Sequence, residues 1–227
     1  MTGERDAEIA DRAILSRFSA ATQRSSRGGA VAVLTLATED VGEAGATIAR
    51  AFHDDALTAH LYPDERERAR LTPLMFGALV RYDCLFGLVD HLPGFVAVAS
   101  WMRPGETVGT PERLTAAGFD DLPSEVPLER LDEFFSSISW AHETSTSGPH
   151  WYLRLLGVDP QHQGSGLGSV LLEHGLRRAD ATGHPCYLET FEERNVPFYL
   201  RHGFDLVVDE ATPTPGIHIW GLYRPGR

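Results

Sequence analysis

Three glycines at alternate positions, Gly164, Gly166 and Gly168, lie in the run Gln163-Gly164-Ser165-Gly166-Leu167-Gly168-Ser169. Where a glycine loop runs into a helix, uncovered backbone N–H groups and the positive end of the helix dipole attract an anion. The flanks supply that setting. Upstream, Trp151-Tyr152-Leu153-Arg154-Leu155-Leu156-Gly157-Val158 reads as a strand. Downstream, Val170, Leu171, Leu172, Leu176 and Ala179 recur at helical spacing, with Glu173, Arg177 and Arg178 on the other side. The chemistry is that of an anion cradle, most often for phosphate. Taken alone, the same residues also fit a plain strand–turn–helix junction.

Three phosphate-loop patterns compete. The nucleotide P-loop requires Gly-x4-Gly-Lys-Ser/Thr, and no lysine follows. The dinucleotide pattern Gly-x-Gly-x-x-Gly fits Gly164 and Gly166 but meets Ser169 at its last position. The pattern Gln/Arg-x-x-Gly-x-Gly/Ala is satisfied by Gln163, Gly166 and Gly168. After it come a strand, Cys186-Tyr187-Leu188-Glu189-Thr190, and then Asn195-Val196-Pro197-Phe198-Tyr199, which begins a short helix closed at Gly203. This order resembles the cofactor half of the GCN5-related N-acetyltransferases (GNAT). Within that superfamily, His162 to Ser169, Leu188-Glu189-Thr190 and Arg194-Asn195-x-Pro197-Phe198-Tyr199 resemble the puromycin N-acetyltransferases. The specific motifs lie between residues 150 and 205.

The resemblance implies an acetyl-CoA-dependent enzyme that acetylates the primary amine of a small molecule, antibiotic-like or metabolic, by direct transfer in a ternary complex. Acylation of a protein amine, or an acyl-CoA sensor without catalysis, are the alternatives. The loop from Gln163 through Gly164, Ser165, Gly166, Leu167 and Gly168 to Ser169 would hold the pyrophosphate. Asn195 would bind the pantetheine arm, and a backbone N–H near Leu156, Gly157 or Val158 would face the oxyanion. A glycine inside a strand points to a bulge or a close backbone approach at Gly157. Tyr199 would be the general acid, because a phenol stays protonated at neutral pH and can hand a proton to a departing thiolate. The base is Glu189, or else Glu143 or His142; the strand before the loop, where the family often has a glutamate, offers Tyr152 and Arg154 instead. A lysine-like amine costs about 4–5 kcal/mol to deprotonate at neutral pH, but an α-amine near pKa 8 only about 1 kcal/mol. Asp54, Asp55, Phe134 and Trp140 are candidates to receive the cation and a ring. The substrate cleft is expected between the first two helices, the loop at Tyr62-Pro63-Asp64 and the helix over 128–143.

The rest of the chain must position these groups. Residues 31–36 read as a strand, and Thr38 as the N-cap of a helix reaching Phe52. A second long helix follows from Asp64 to about Leu85, then a hairpin of 86–91 with 95–101, a turn-rich stretch 104–127 and a helix from 128 to 141. After the loop half come strands over 204–208 and 217–223. The fold class is mixed α/β: a twisted, mostly antiparallel sheet of about six or seven strands flanked by helices. Residues 1–29 are expected to be a helical or flexible extension, with an apolar stripe over 4–22, and residues 30–225 a single acetyltransferase domain.

The formal charge of −12 opposes binding to nucleic acid and suits a cationic amine. No apolar run reaches the roughly 20 residues needed to cross a bilayer, and no secretion signal is visible. Cys84 and Cys186 lie in apolar runs and read as reduced core residues of a cytoplasmic protein. The ten histidines show no metal-binding spacing, so no metal is expected. A homodimer is compatible with this reading.

Overall fold

A computed structural model describes residues 31–106 and 109–227. The amphipathic stretch over 4–22 and the linker after it lie outside the described residues. Residues Val33–Arg227 form one compact unit.

Seven strands make one sheet: β1 (Leu34–Thr35), β2 (Gly87–His91), β3 (Ala97–Met102), β4 (Trp151–Val158), β5 (Cys186–Thr190), β6 (Asp205–Ala211) and β7 (His218–Arg224). Their order is β1-β2-β3-β4-β5-β7-β6. Every pairing is antiparallel except that of β4 with β5. The helices are α1 (Val41–Ala51), α2 (Ala56–Leu61), α3 (Glu65–Phe86), α4 (Pro111–Ala116), α5 (Leu128–Ser145), α6 (Leu167–Thr182) and α7 (Val196–Arg201). The expected strand at 31–36 shrinks to the two residues of β1, and the last two strands start one residue later than expected and run to Ala211 and Arg224. Thr38 does not cap α1. It opens a 3-10 turn over Thr38–Asp40, and the helix proper begins at Val41. Short α2 is absent from the periodicity reading; Asp55 creates it by accepting from the N–H groups of Leu57 and Thr58.

One core joins α1, α3 and α5 to the sheet through Ile48, Val80, Phe134, Ile138 and Leu155. On α6, Leu171, Leu172, Leu176 and Ala179 are buried, the stripe the sequence predicted. Two charge pairs pin this helix: Arg178 with Asp90 of β2 at 3.0 Å, and Asp180 with Arg224 of β7 at 2.7 Å. The C-terminal end of α6 is thereby held against the sheet.

Two irregularities in β4 matter for the site. The strand pairs with β5 only at Trp151↔Cys186 and Tyr152↔Tyr187, so from residue 153 onward the two strands part. On its other side a bulge separates Ser100↔Leu155 from Trp101↔Leu153, which leaves Arg154 as the extra residue. Arg154 and Leu155 consequently both reach toward the α1/α3 layer: Arg154 meets Asp83 and Leu155 joins the core. The bulge is thus three residues before Gly157. Gly157 is glycine because of close approach, since a Cβ there would lie 2.8 Å from Ile48 Cδ1 and 3.0 Å from Ala51 Cβ of α1.

Candidate active site

Where β4 and β5 part, two hollows open and meet. The first, of about 550 Å³, lies over the glycine loop and is lined by Leu156, Gly157, Val158, the loop, Asn195 and Phe198. The second, of about 280 Å³, lies under α3 and α5. Phe52, Asp55, Leu156, Asn195 and Tyr199 border both.

The loop has the form its sequence demands. Gly164 and Gly166 are left-handed, at φ 73° and 83°, a region most side chains avoid. Among the described residues, the N–H groups of Gln163, Gly164, Ser165 and Gly166 donate to no backbone or side-chain acceptor. Side chains do not fill the cradle. The Gln163 amide turns back to donate to Val158 O at 3.1 Å, and the Ser165 hydroxyl donates to His162 O. Asp159 braces the turn, accepting from Gln161 N–H at 3.0 Å and from Arg50 Nε of α1 at 2.7 Å. Uncovered amides, an empty concave face and the start of a four-turn helix fit a diphosphate. Arg194 and Arg201 line the same hollow. Leu167, Gly168 and Ser169 line it too, from the first turn of α6.

Tyr199 is buried on α7, yet it borders both hollows. Burial pushes its phenol well above the ordinary tyrosine range, so it is protonated at neutral pH. Asn195, expected to meet pantetheine, borders both hollows and donates through Nδ2 to Thr190 Oγ1 at 3.1 Å, which holds its side chain in place. Beyond Tyr152 the opened edge of β4 leaves the outward-facing main-chain groups of residues up to Val158 without β5 partners.

Glu189 borders the smaller hollow from β5. His142 Nδ1 of α5 lies 3.5 Å from Glu189 Oε1, and His142 Nε2 lies 2.8 Å from His150 Nε2. His150 Nδ1 in turn meets Gly148 O at 2.9 Å. Burial, and secondarily His142, push the His150 pKa down. The negative charge of Glu189 helps push the Tyr152 phenol far up, after burial itself. Glu143, the other candidate base, is exposed on α5 and lines neither hollow.

Of the residues expected to receive the substrate, only Asp55 lines the cavity. Its carboxyl is pushed up to about 6, chiefly by burial. Asp54 is exposed, Phe134 is packed in the core edge-on to Phe191, and Trp140 points outward at 39% exposure. Helix α5 presents Leu131 and Phe135 to the cavity instead. Tyr62, expected at the cleft, is buried with its hydroxyl on Met75 sulfur. The sequence reading missed the cavity's cation, Arg154, and the wall formed by Phe76, Leu79 and Tyr82 of α3. An amphipathic α3 wide enough to cover a sheet was the only available signal.

Comparison with known proteins agrees with this geometry. Residues 114–204 match the family model of the acetyltransferase (GNAT) family. A histone acetyltransferase HPA2 and related acetyltransferase from Corynebacterium glutamicum superposes with a TM-score of 0.59 at 21% identity, covering 88% of this chain and 98% of that one. Polyamine N-acetyltransferase of Drosophila melanogaster, which forms N-acetylagmatine, gives 0.54 at 17% identity over 86% and 99%. The PaiA N-acetyltransferase of Thermoplasma acidophilum, solved with coenzyme A, gives 0.52 at 10% identity over 87% and 99%. These three likenesses concern the fold. Residues 114–204 carry the acetyltransferase (GNAT) family pattern, and the chain around them has the corresponding fold.

Proposed function

We propose that the protein transfers an acetyl group from acetyl-CoA directly to the primary amine of a small molecule, an antibiotic-like compound or a metabolite. The observation that carries this reading is the meeting, at Tyr199, of the cleft over the glycine loop and the cavity under α3 and α5. Acetyl-CoA, when bound, supplies the activated acyl group. The free amides of Gln163 to Gly166, with Leu167, Gly168 and Ser169 at the helix start, would hold its pyrophosphate. Main-chain groups at Leu156, Gly157 and Val158 would align the arm along the opened edge of β4, one N–H facing the oxyanion, and Asn195 would touch the arm from β5's side.

In the cavity, Asp55 would attract the ammonium group and Glu189 take its proton, directly or through a water. Tyr199 would protonate the departing thiolate. Helices α4 and α5 cover the cavity through Leu114, Leu131 and Phe135. That cover favours a small acceptor over a protein segment, which needs an open groove. Amine acetylation is also what the polyamine enzyme named above performs. The motifs at 162–169, 188–190 and 194–199 support nearness to the puromycin N-acetyltransferases. We assign the activity to a single domain over residues 30–225. Both cysteines are free, which fits a cytoplasmic enzyme.

The test is release of free thiol from acetyl-CoA across a panel of small amines that includes puromycin, agmatine and arylalkylamines. Amine-dependent release is expected for at least one class. Tight acetyl-CoA binding without amine-dependent release would leave a sensor, and release only with peptides would move the acceptor to protein.

A further inference from the structure

Arg154 enters a mostly apolar cavity from the bulge in β4. Its Nη1 donates to Asp83 Oδ1 at 2.9 Å, and its guanidinium carbon lies 5.2 Å from the centroid of the Tyr82 ring. Asp83, on α3, is fully buried, and its other oxygen accepts from Ser100 Oγ at 2.6 Å. Burying a carboxylate is costly unless it is paired and hydrogen-bonded. Burial indeed pushes the Asp83 carboxyl up, while Arg154 first and Ser100 next hold it down. A buried carboxyl paired with Arg154 is therefore placed beneath the cavity wall, where it fixes one guanidinium in one orientation.

Asp83 occupies one corner of that planar group. Nε and Nη2 form its other edge, donate to nothing among the described residues, and are not sealed within protein. Two parallel N–H groups on a fixed plane match a carboxylate or a carbonyl oxygen, not a methyl group or a second cation. The acidic residues that line the cavity, Asp55 and Glu189, have the opposite character and suit an amine. The rings of Tyr82, Tyr152 and Phe135 line the same cavity. Two residues of strand, about 6–7 Å, separate Arg154 from Leu156 at the junction.

We propose that Arg154 is a specificity-determining residue, and that the acceptor is a primary amine carrying, across an apolar spacer, an oxygen acceptor that lies on the free Nε/Nη2 edge. This rests on the amine-acetylation reading above. An amine of the same length without that oxygen would leave the guanidinium edge dehydrated and unpaired. The resulting discrimination is about 10–100-fold, as for hydrogen bonds to charged groups.

The experiment uses three arylalkylamines that differ only at the ring position remote from the nitrogen: carboxylate, carboxamide or methyl. Both kcat/KM for thiol release and equilibrium binding to the coenzyme A-loaded protein are measured. The wild-type protein should favour the carboxylate or the carboxamide over methyl by about 10–100-fold, and the winner tells an anionic acceptor from a neutral one. Arg154→Lys keeps the charge but loses the planar edge, and should erase most of that preference. Because Arg154→Met alone strands Asp83, it is paired with Asp83→Asn, and melting curves verify that both variants fold. A preference that survives in either folded variant, or a wild-type protein indifferent to the three substituents, overturns the proposal. Selective binding without turnover would support the Arg154 subsite while sinking acetyl transfer; turnover without selectivity would do the reverse.

Discussion

The two hollows that meet at Tyr199 are bordered by different kinds of segment. The larger is bordered by the parted edge of β4, a loop with three glycines and the start of α6, with α7 closing it. The smaller is lined by side chains drawn from α2, α3, α4, α5, β4 and β5. A backbone site asks little of side chains beyond staying out of the way, so glycine dominates it and its pattern is continuous in sequence. A side-chain cavity depends on residues some 135 positions apart, Leu57 to Phe191 among them, and can change its ligand without disturbing the other half. The glycine-loop half, proposed above to hold a diphosphate and its acyl arm, is thus separable from the cavity that this chain has built beside it.

The junction should give the largest loss. Tyr199→Phe removes the phenolic proton from a ring that stays packed against Phe198 and Phe204. Its kcat should fall by about 10²–10⁴-fold, the range for a general acid, while calorimetric affinity for acetyl-CoA stays within about 2-fold of wild type. Equal losses in both would make Tyr199 a binding residue of the backbone cleft.

Next in size is the backbone cleft itself. Nothing lies within 4 Å of a Cβ built on Gly164 or Gly166, so valine there meets no neighbour; it meets only its own positive φ. The strain, about 1–3 kcal/mol per residue, would re-aim the amides without touching the core. Gly166→Val should weaken acetyl-CoA by about 10–100-fold and leave the far-UV spectrum unchanged. Unchanged affinity would mean that side chains, not amides, hold the anion.

The same division decided what could be read from the sequence. Strands β4 and β5 were legible to the residue, because alternating and continuous apolar runs bounded by turn residues have one reading. The glycine loop and the short helix of Tyr199 were legible for a similar reason: local geometry needs local residues. The cavity was not. Helix α2 has six residues, less than two turns, and depends on the Asp55 cap rather than on a period. The bulge that turns Arg154 inward is set by its partner β3, and nothing in Leu153-Arg154-Leu155 announces it. On α5, Phe134 and Phe135 are adjacent aromatic residues, and only the docked angle of the helix says which meets the core and which the cavity. Gly157 was correctly marked as unusual, but its cause, contact with Ile48, lies more than a hundred residues upstream.

Asp55 tests the cavity side through pH. Its pKa rises from 3.8 to about 6 on folding, mainly through burial. The folded state thus binds the proton more tightly than the unfolded one, and stability falls as pH climbs from about 4 to 6. At about 1.4 kcal/mol per unit, the upper bound on that loss is about 3 kcal/mol. Asp55→Asn keeps an oxygen for the Leu57 and Thr58 amides and removes the penalty. The variant should melt higher than wild type at pH 7 but not at pH 4, and its KM for the amine should rise. A constant gap between the two melting temperatures would show that Asp55 is not desolvated as described.

The smallest expected effect concerns His142, and it follows from counting protons. Gly148 O only accepts, so His150 Nδ1 carries a hydrogen. Burial keeps His150 neutral, which leaves its Nε2 a lone pair, and His142 Nε2 must donate across the 2.8 Å gap. His142 Nδ1 then faces Glu189 Oε1 at 3.5 Å, and two lone pairs there would repel. A hydrogen is accordingly placed between His142 Nδ1 and Glu189, and the histidine holds the carboxylate in position. In His142→Gln that contact is lost, and kcat/KM should fall by less than about 10-fold. His150→Phe, which removes the acceptor of His142 Nε2 but not His142 itself, should lower the rate less. A rate unchanged in both variants would place the base outside Glu189, with Asp55 the remaining carboxylate at the junction.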